Sequence, residues 1–257
     1  MKLQLVRSTL ALFAAGLALA YGSAAPAAEF SAQQKAAIEA IIKDYLIKNP
    51  EILRDAMVEL DRRQKEQEKQ AQLTITGDPS SKLYTSAHQA IIGNPQGTAT
   101  LVEFFDYNCG YCKRALADLA NLMKNDANLK VILKDYPILT PGSIEAAQVA
   151  SALRNQFQGE KFWEYHQKLL STRGPVGKDQ ALEVARDMGA DMDKLAKDMK
   201  DPAVQAGIDE TLQMASALNL NGTPSYVVGE DVVIGAVGYA ELKTRVDNAH
   251  KCGKATC

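Results

Sequence analysis

The sequence predicts an α/β fold whose strands are split by a long helical insertion and preceded by a helical segment. Three observations predict it. A buried-strand run, Thr98 to Phe105 (TATLVEFF), leads into a helix with Cys112, Leu116, Leu119 and Met123 on one face, and Val131 to Leu133 reads as the next strand. Residues 143–219 are almost wholly helical in pattern, with Trp163 a core candidate. Ser225 to Val228 and Val232 to Ile234 are short β-branched runs joined by Gly229-Glu230-Asp231, a hairpin signal, before a closing helix over Ala240 to Lys251. The order is β-α-β, helical block, β-β-α, and no internal repeat is evident.

Composition narrows the function. The 257 residues are 46% apolar and 23% charged, which excludes collagen, low-complexity disorder and a multi-span membrane protein. Basic and acidic residues number 29 and 31, so no basic excess invites nucleic acid, and 6% aromatic content argues against a base-stacking surface.

The first residues read as a targeting signal. Lys2 and Arg7 form a positive start, Leu10 to Ala20 is apolar, and Ala25-Pro26-Ala27 fits a cleavage site. The apolar run is much shorter than the roughly 20 residues of a membrane span, so a cleaved signal peptide over 1–27 is the expectation rather than a stable anchor. The mature chain then starts near Ala28, in an oxidising compartment where cysteines can pair.

Residues 28–72 read as an N-terminal helical segment. Ser31 with Gln34 makes a capping box, and Ile38, Ile41, Ile42, Tyr45 and Leu46 recur on one helical face. Asn49-Pro50 interrupts the pattern; Leu53, Met57 and Leu60 resume it. Asp61 to Gln70 holds no apolar residue, so residues 31–60 read as a short hairpin followed by a charged helix or linker. Two short helices make no core alone. Packing on the main domain competes with self-association, and the polar stretch favours self-association, a homo-oligomer through residues 31–60. Residues 73–89 read as irregular linker around Gly77-Asp78-Pro79-Ser80-Ser81, and 90–257 as the main domain, with Asn94-Pro95-Gln96-Gly97 a turn near its start.

The chemistry centres on Cys109-Gly110-Tyr111-Cys112, directly after a strand and opening a helix. There, free N–H groups and the helix dipole favour a thiolate on Cys109. Cys112 lies one turn later, so the two can close a small disulfide, the outer sulfur attacking and the inner one resolving. Two blander readings compete. Half a zinc site lacks a second ligand pair, and a four-residue disulfide loop is a weak staple. Glu103, inside an apolar strand between Val102 and Phe104, reads as a desolvated carboxyl able to exchange the Cys112 proton; a solvent-facing strand residue is the alternative. Gly222-Thr223-Pro224 precedes a strand, where proline is allowed in either isomer.

Taken together, Val102 to Lys113 (VEFFDYNCGYCK) and Gly222 to Val228 (GTPSYVV) resemble the thioredoxin superfamily, and more narrowly the DsbA-like periplasmic thiol–disulfide oxidoreductases, whose thioredoxin fold carries an inserted helical domain. The resemblance covers roughly residues 90–250. The N-terminal helical segment is similar to the stalk of ScsC-type members, which are linked to copper tolerance and can oligomerise through it. The resemblance implies Cys109 as nucleophile, Cys112 as resolving thiol and Glu103 as the buried acid. It makes Pro224 the cis-proline facing the disulfide, with Thr223 before it, and Tyr111, Thr223 and Pro224 substrate-binding by strand addition. It implies exported client proteins with cysteines and a membrane redox partner, in the periplasm, and no cofactor.

Two details separate subclasses. Strong DsbA-type oxidants carry Pro-His between the cysteines and Val before the cis-proline. Gly110-Tyr111 and Thr223 look instead like DsbC-type isomerases. A loop His would stabilise the thiolate and make the disulfide more oxidising; Tyr111 lacks that charge. The expected activity is disulfide isomerase or reductase, with a dithiol oxidase, or a protein binding Cu(I) through the same cysteines, as alternatives.

Cys252 and Cys257 read as a possible structural disulfide, whose short loop contributes about 2 kcal/mol at most. No metal site is assigned. His88, His166 and His250 read as surface or satisfied residues, and Met188, Met192 and Met199 as core rather than copper ligands. Lys113 and Arg114 read as solvated, or as favouring acidic substrate segments.

Overall fold

A computed structural model describes residues 30–257. The expected signal peptide over 1–27 and its cleavage point lie outside the described residues. Residues up to Glu59 make one unit, and Leu60–Cys257 another.

The first unit starts with α1, Ala32–Lys48. Its capping box is closed in both directions: Gln34 N–H donates to Ser31 Oγ at 3.2 Å, and Ser31 N–H to Gln34 Oε1 at 2.9 Å. Asn49 ends the helix, its N–H and its Nδ2 both donating to the Tyr45 carbonyl. No α1 residue is buried. Ile41, Ile42, Tyr45 and Met57 stay 67, 52, 56 and 71% exposed.

Of the charged helix or linker expected after residue 60, the structure shows the helix: α2 runs 26 residues without a break, Glu51–Thr76. The polar stretch stays helical through four-residue-spaced ion pairs, Lys65 to Asp61 at 2.8 Å and Arg62 to Glu66 at 2.9 Å.

The irregular linker expected over 73–89 is corrected. Leu73 to Thr76 complete α2, and Lys82–Thr85 form α3, capped by Ser81. This stretch is fastened to the domain. Leu83 is fully buried, Tyr84 Oη donates to the Thr76 carbonyl at 2.7 Å, Thr76 Oγ1 to the Glu230 carbonyl at 3.0 Å, and Lys134 Nζ to the Lys82 carbonyl at 2.9 Å.

The sheet has five strands in the order β1-β3-β2-β4-β5: β1 Ala90–Gly93, β2 Ala99–Phe105, β3 Leu129–Asp135, β4 Ser225–Val228 and β5 Asp231–Ile234. Only β2 and β3 are parallel, with α4 (Gly110–Asn125) as their crossover; the other pairs are antiparallel. β1 was not foreseen; two isoleucines in a four-residue run are a weak signal, and pairing with β3 makes the strand.

Alternation along β2 sorts its side chains. Leu101 and Phe105 join the core on the face of Cys109, Cys112, α4 and α10 (Tyr239–Cys252). Val102 and Phe104 join the other face, with Leu83, Met214 and Leu218. Glu103 therefore points to the face that carries the cysteines.

Between β3 and β4 run α5 Pro141–Leu153, α6 Gly159–Leu170, α7 Lys178–Asp187, α8 Met192–Asp198 and α9 Pro202–Ala217. Trp163 is core, and Met188, Met192 and Met199 pack against it. His166 is not a surface residue, and it is satisfied only at Nδ1, which lies 3.4 Å from Tyr107 Oη. It is fully buried among Phe105, Tyr107 and Trp163, with Nε2 unpartnered, and burial lowers its pKa to about 3, so the ring is neutral.

Candidate active site

The site forms where β2 hands over to α4. Asp106 builds the turn. Its Oδ1 accepts from Asn108 N–H at 2.8 Å, and its Oδ2 from Ile138 and Leu139 N–H at 2.9 and 3.0 Å. Its carbonyl accepts from Cys109 N–H at 3.0 Å. Cys109 thereby becomes the N-cap of α4, and Cys112 sits in the first turn. Both thiols are free and buried. Cys109 Sγ lies 3.1 Å from the Thr223 carbonyl oxygen. The Thr223-Pro224 peptide bond is cis and leads straight into β4.

The two sulfurs are driven apart in acidity. Cys109 falls to about 5, first because the Cys112 thiol donates to it; burial opposes, while Thr223 and the N–H groups of Cys112 and Tyr111 lower it further. Cys112 is pushed far above the ordinary thiol range because its proton is held against Cys109, with burial and the Glu103 charge adding to this. At neutral pH the pair is one thiolate and one thiol, the ionisation that exchange needs.

Glu103 is 3% exposed, with Oε2 making no hydrogen bond. Burial raises it to about 8; the neighbouring Tyr226 hydroxyl offsets part of this, and the Cys109 charge adds to it. Tyr226 is its register partner across β2 and β4. The carboxyl thus titrates near neutrality beside the cysteine pair, within the field of both sulfurs.

Around this buried centre the rim is apolar and exposed: Tyr111 at 60%, Leu139 at 50% and Ile138 at 39%. The Arg114 guanidinium lies 4.2 Å over the Tyr111 ring. Lys113 is not simply solvated; its Nζ donates to the Thr172 carbonyl at 2.7 Å. The structure thus brings together Cys109, Cys112, Glu103, Tyr111, Thr223 and Pro224. Cys252 and Cys257 stand apart, bonded to each other where α10 ends. Among the described residues no group of three or more His, Cys, Asp or Glu gathers to hold a metal ion.

Sequence reasoning passed over Asp106 and Asn108. The available signal was their type, since Asp and Asn beside a turn bond to nearby backbone.

The family description "DSBA-like thioredoxin domain" matches residues 100–247. The chain belongs to the DsbA-like thioredoxin family. A second description, the N-terminal domain of the copper resistance protein ScsC, matches residues 34–67. A thioredoxin-like oxidoreductase from Silicibacter pomeroyi is 38% identical, with a TM-score of 0.63, over 66% of this chain and 97% of that one. ScsC of Proteus mirabilis, in a transitional conformation, is 26% identical with a TM-score of 0.62, over 86% of this chain and 97% of that one. Disulfide bond formation protein D of Bacillus subtilis is 23% identical over 190 residues, 69% of this chain and 82% of that protein. Against a Na(+)/H(+) antiporter NhaA 1 of Salinispora arenicola, 26% identical over 159 residues, the chain spans only 24% of the relative's length. No helix among the described residues is long and apolar enough to cross a membrane. As a DsbA-like member, the chain has a thioredoxin fold with an inserted helical domain, preceded by a helical segment that matches the ScsC N-terminal domain.

Proposed function

We propose that this chain is a thiol–disulfide oxidoreductase, working as a periplasmic disulfide isomerase or reductase on exported proteins through Cys109 and Cys112. The observation that carries the reading is the thiolate setting. Cys109 is lowered to about 5 with no histidine between the cysteines, the charge that would stabilise the thiolate further and make the disulfide more oxidising. Cys109 depends on hydrogen bonds rather than on a charged residue in the loop, since the loop holds Gly110 and Tyr111.

The exchange balances as follows. The Cys109 thiolate attacks a client disulfide; that S–S bond breaks, a client thiolate leaves and a mixed disulfide forms. In isomerisation the freed thiolate attacks a second client disulfide; the client thiolate this releases attacks the client sulfur of the mixed disulfide, so a new client S–S bond forms and Cys109 leaves as thiolate. In reduction Cys112 gives its proton to Glu103 and attacks Cys109 Sγ, releasing the second client thiolate. Once the mixed disulfide removes the Cys109 charge, Glu103 ionises more readily, because that charge is one of the causes raising it. Tyr111 and the Thr223-Pro224 segment form the client-binding rim.

The N-terminal helices support a homo-oligomer. Their apolar stripe is exposed on the single chain, and a second copy is the occupant that a ScsC-like segment over 34–67 favours. The signal-like first 27 residues and the family relationship support the periplasm.

The test is reactivation of scrambled ribonuclease in a glutathione buffer. Recovery that is lost in Cys109→Ser is expected. Failure to recover activity, in a protein that still oxidises a dithiol peptide, would make it a dithiol oxidase instead.

A further inference from the structure

We propose that Asn108 is a positioning residue for client capture, its amide pinning the Thr172 to Val176 loop of the helical insertion as a wall beside Cys109. The inference rests on the exchange reading above and names what governs client binding in it. The Asn108 amide pairs with one residue in both directions. Val176 N–H donates to Oδ1 at 2.7 Å, and Nδ2 donates to the Val176 carbonyl at 2.8 Å. This double pairing settles which amide atom is the oxygen. Nδ2 also reaches Ser143 Oγ at 3.1 Å and Thr140 Oγ1 at 3.3 Å, at the start of α5. One side chain adjacent to the nucleophile therefore ties two segments of the insertion to the catalytic turn.

The loop's other end is held from the far side of the motif. Lys113, directly after Cys112, donates to the Thr172 carbonyl at 2.7 Å and the Gly174 carbonyl at 3.4 Å. Val176 is buried, while Arg173, Gly174 and Pro175 stay exposed. Gly174 takes a φ of +78°, which lets the loop turn between its two anchors. Held before Cys109 and after Cys112, the loop runs alongside the whole C-x-x-C turn. An extended client approaching the sulfur meets this wall, so loosening it weakens binding. A small disulfide meets only the sulfur. A merely structural tie would change stability and leave that contrast untouched.

The experiment uses the full chain, with reduced glutathione as electron donor and two oxidants: a disulfide-bonded peptide, and dipyridyl disulfide as a small neutral probe. For Asn108→Ala the expected result is a peptide KM raised about tenfold, as suits the loss of one or two net hydrogen bonds, with kcat and the dipyridyl disulfide rate within about twofold of wild type. An unchanged KM, or a dipyridyl disulfide rate falling in step with the peptide rate, overturns the proposal. If circular dichroism shows Asn108→Ala unfolded, Lys113→Met must give the same split, and its absence also overturns the proposal. A wild-type chain inert to both oxidants would sink the exchange reading itself.

Discussion

Glu103 and Tyr226 sit directly opposite each other across the β2–β4 ladder, both sealed from water at 3 and 0% exposure. A carboxyl placed there holds its proton to about 8 instead of 4.5, because burial disfavours its charge. Between those values the folded chain binds a proton that the unfolded chain releases, so this group makes stability fall as pH rises. Cys109 acts in the opposite sense. Its thiol falls from 9 to about 5, so between those values the unfolded chain holds the proton and stability rises with pH. The two slopes offset each other in the reduced protein. Glu103→Gln is therefore expected to gain stability as pH rises from 5 to 8, and to exceed wild type at pH 8 by on the order of 4 kcal/mol. Cys109→Ser is expected to lose stability over the same range. Urea unfolding of the reduced proteins at several pH values checks both. Parallel curves for wild type and Glu103→Gln would remove Glu103 from the account.

The acidity of Cys109 is borrowed first from Cys112, whose thiol donates to it. Cys112→Ala removes that donor, so the Cys109 titration is expected to move up towards the ordinary thiol range. The same variant lacks a resolving thiol and is expected to accumulate mixed disulfides with clients, seen as higher bands on non-reducing gels. A Cys109 titration unmoved by this change would shift the main stabilisation to the helix N–H groups.

The exposed stripe on α1 and α2 offers a separate test. Ile42 is 52% and Met57 71% exposed. Replacing both with Asp is expected to leave each chain folded but to convert an oligomer to monomer in sedimentation at micromolar concentration, because charges in a buried apolar interface cost several kcal/mol. Ribonuclease reactivation is expected to fall with the oligomer, while reaction with dipyridyl disulfide persists. A wild-type chain already monomeric would refute the oligomer.

Cys252 and Cys257 close a loop with a sequence separation of 5. The chain-entropy relation gives such a loop about 2 kcal/mol. Cys252→Ser is expected to lower stability by no more than that in urea and to leave exchange intact. A collapse of exchange activity in this variant would make the pair part of the chemistry.

Much of this site was legible because it depends on local spacing. A strand, a C-x-x-C helix start and a Thr-Pro before a β-branched run each announce themselves within a few residues. Glu103 was legible by its apolar neighbours, and the fold adds why it matters, since alternation in β2 turns it to the cysteine face. What was hidden depends on remote partners. The stretch 73–89 looks like linker because its local pattern is a cluster of turn residues; remote partners fasten it, Tyr84 and Thr76 being held by Gly229 and Glu230 far along the chain. β1 exists only through β3. His166 looks polar in sequence, yet α6 buries it behind Tyr107. Asn108 gains its weight from Val176, which no spacing rule connects to it.

The most direct test of the central claim is the thiolate absorbance of the reduced protein near 240 nm, followed across pH and compared with Cys109→Ser. The account predicts one thiolate titrating near pH 5, absent from the variant, with Cys112 still protonated at neutral pH. A wild-type midpoint in the ordinary range of about 8 to 9 would contradict it, since Cys109 would then not be the poised nucleophile on which the exchange chemistry rests.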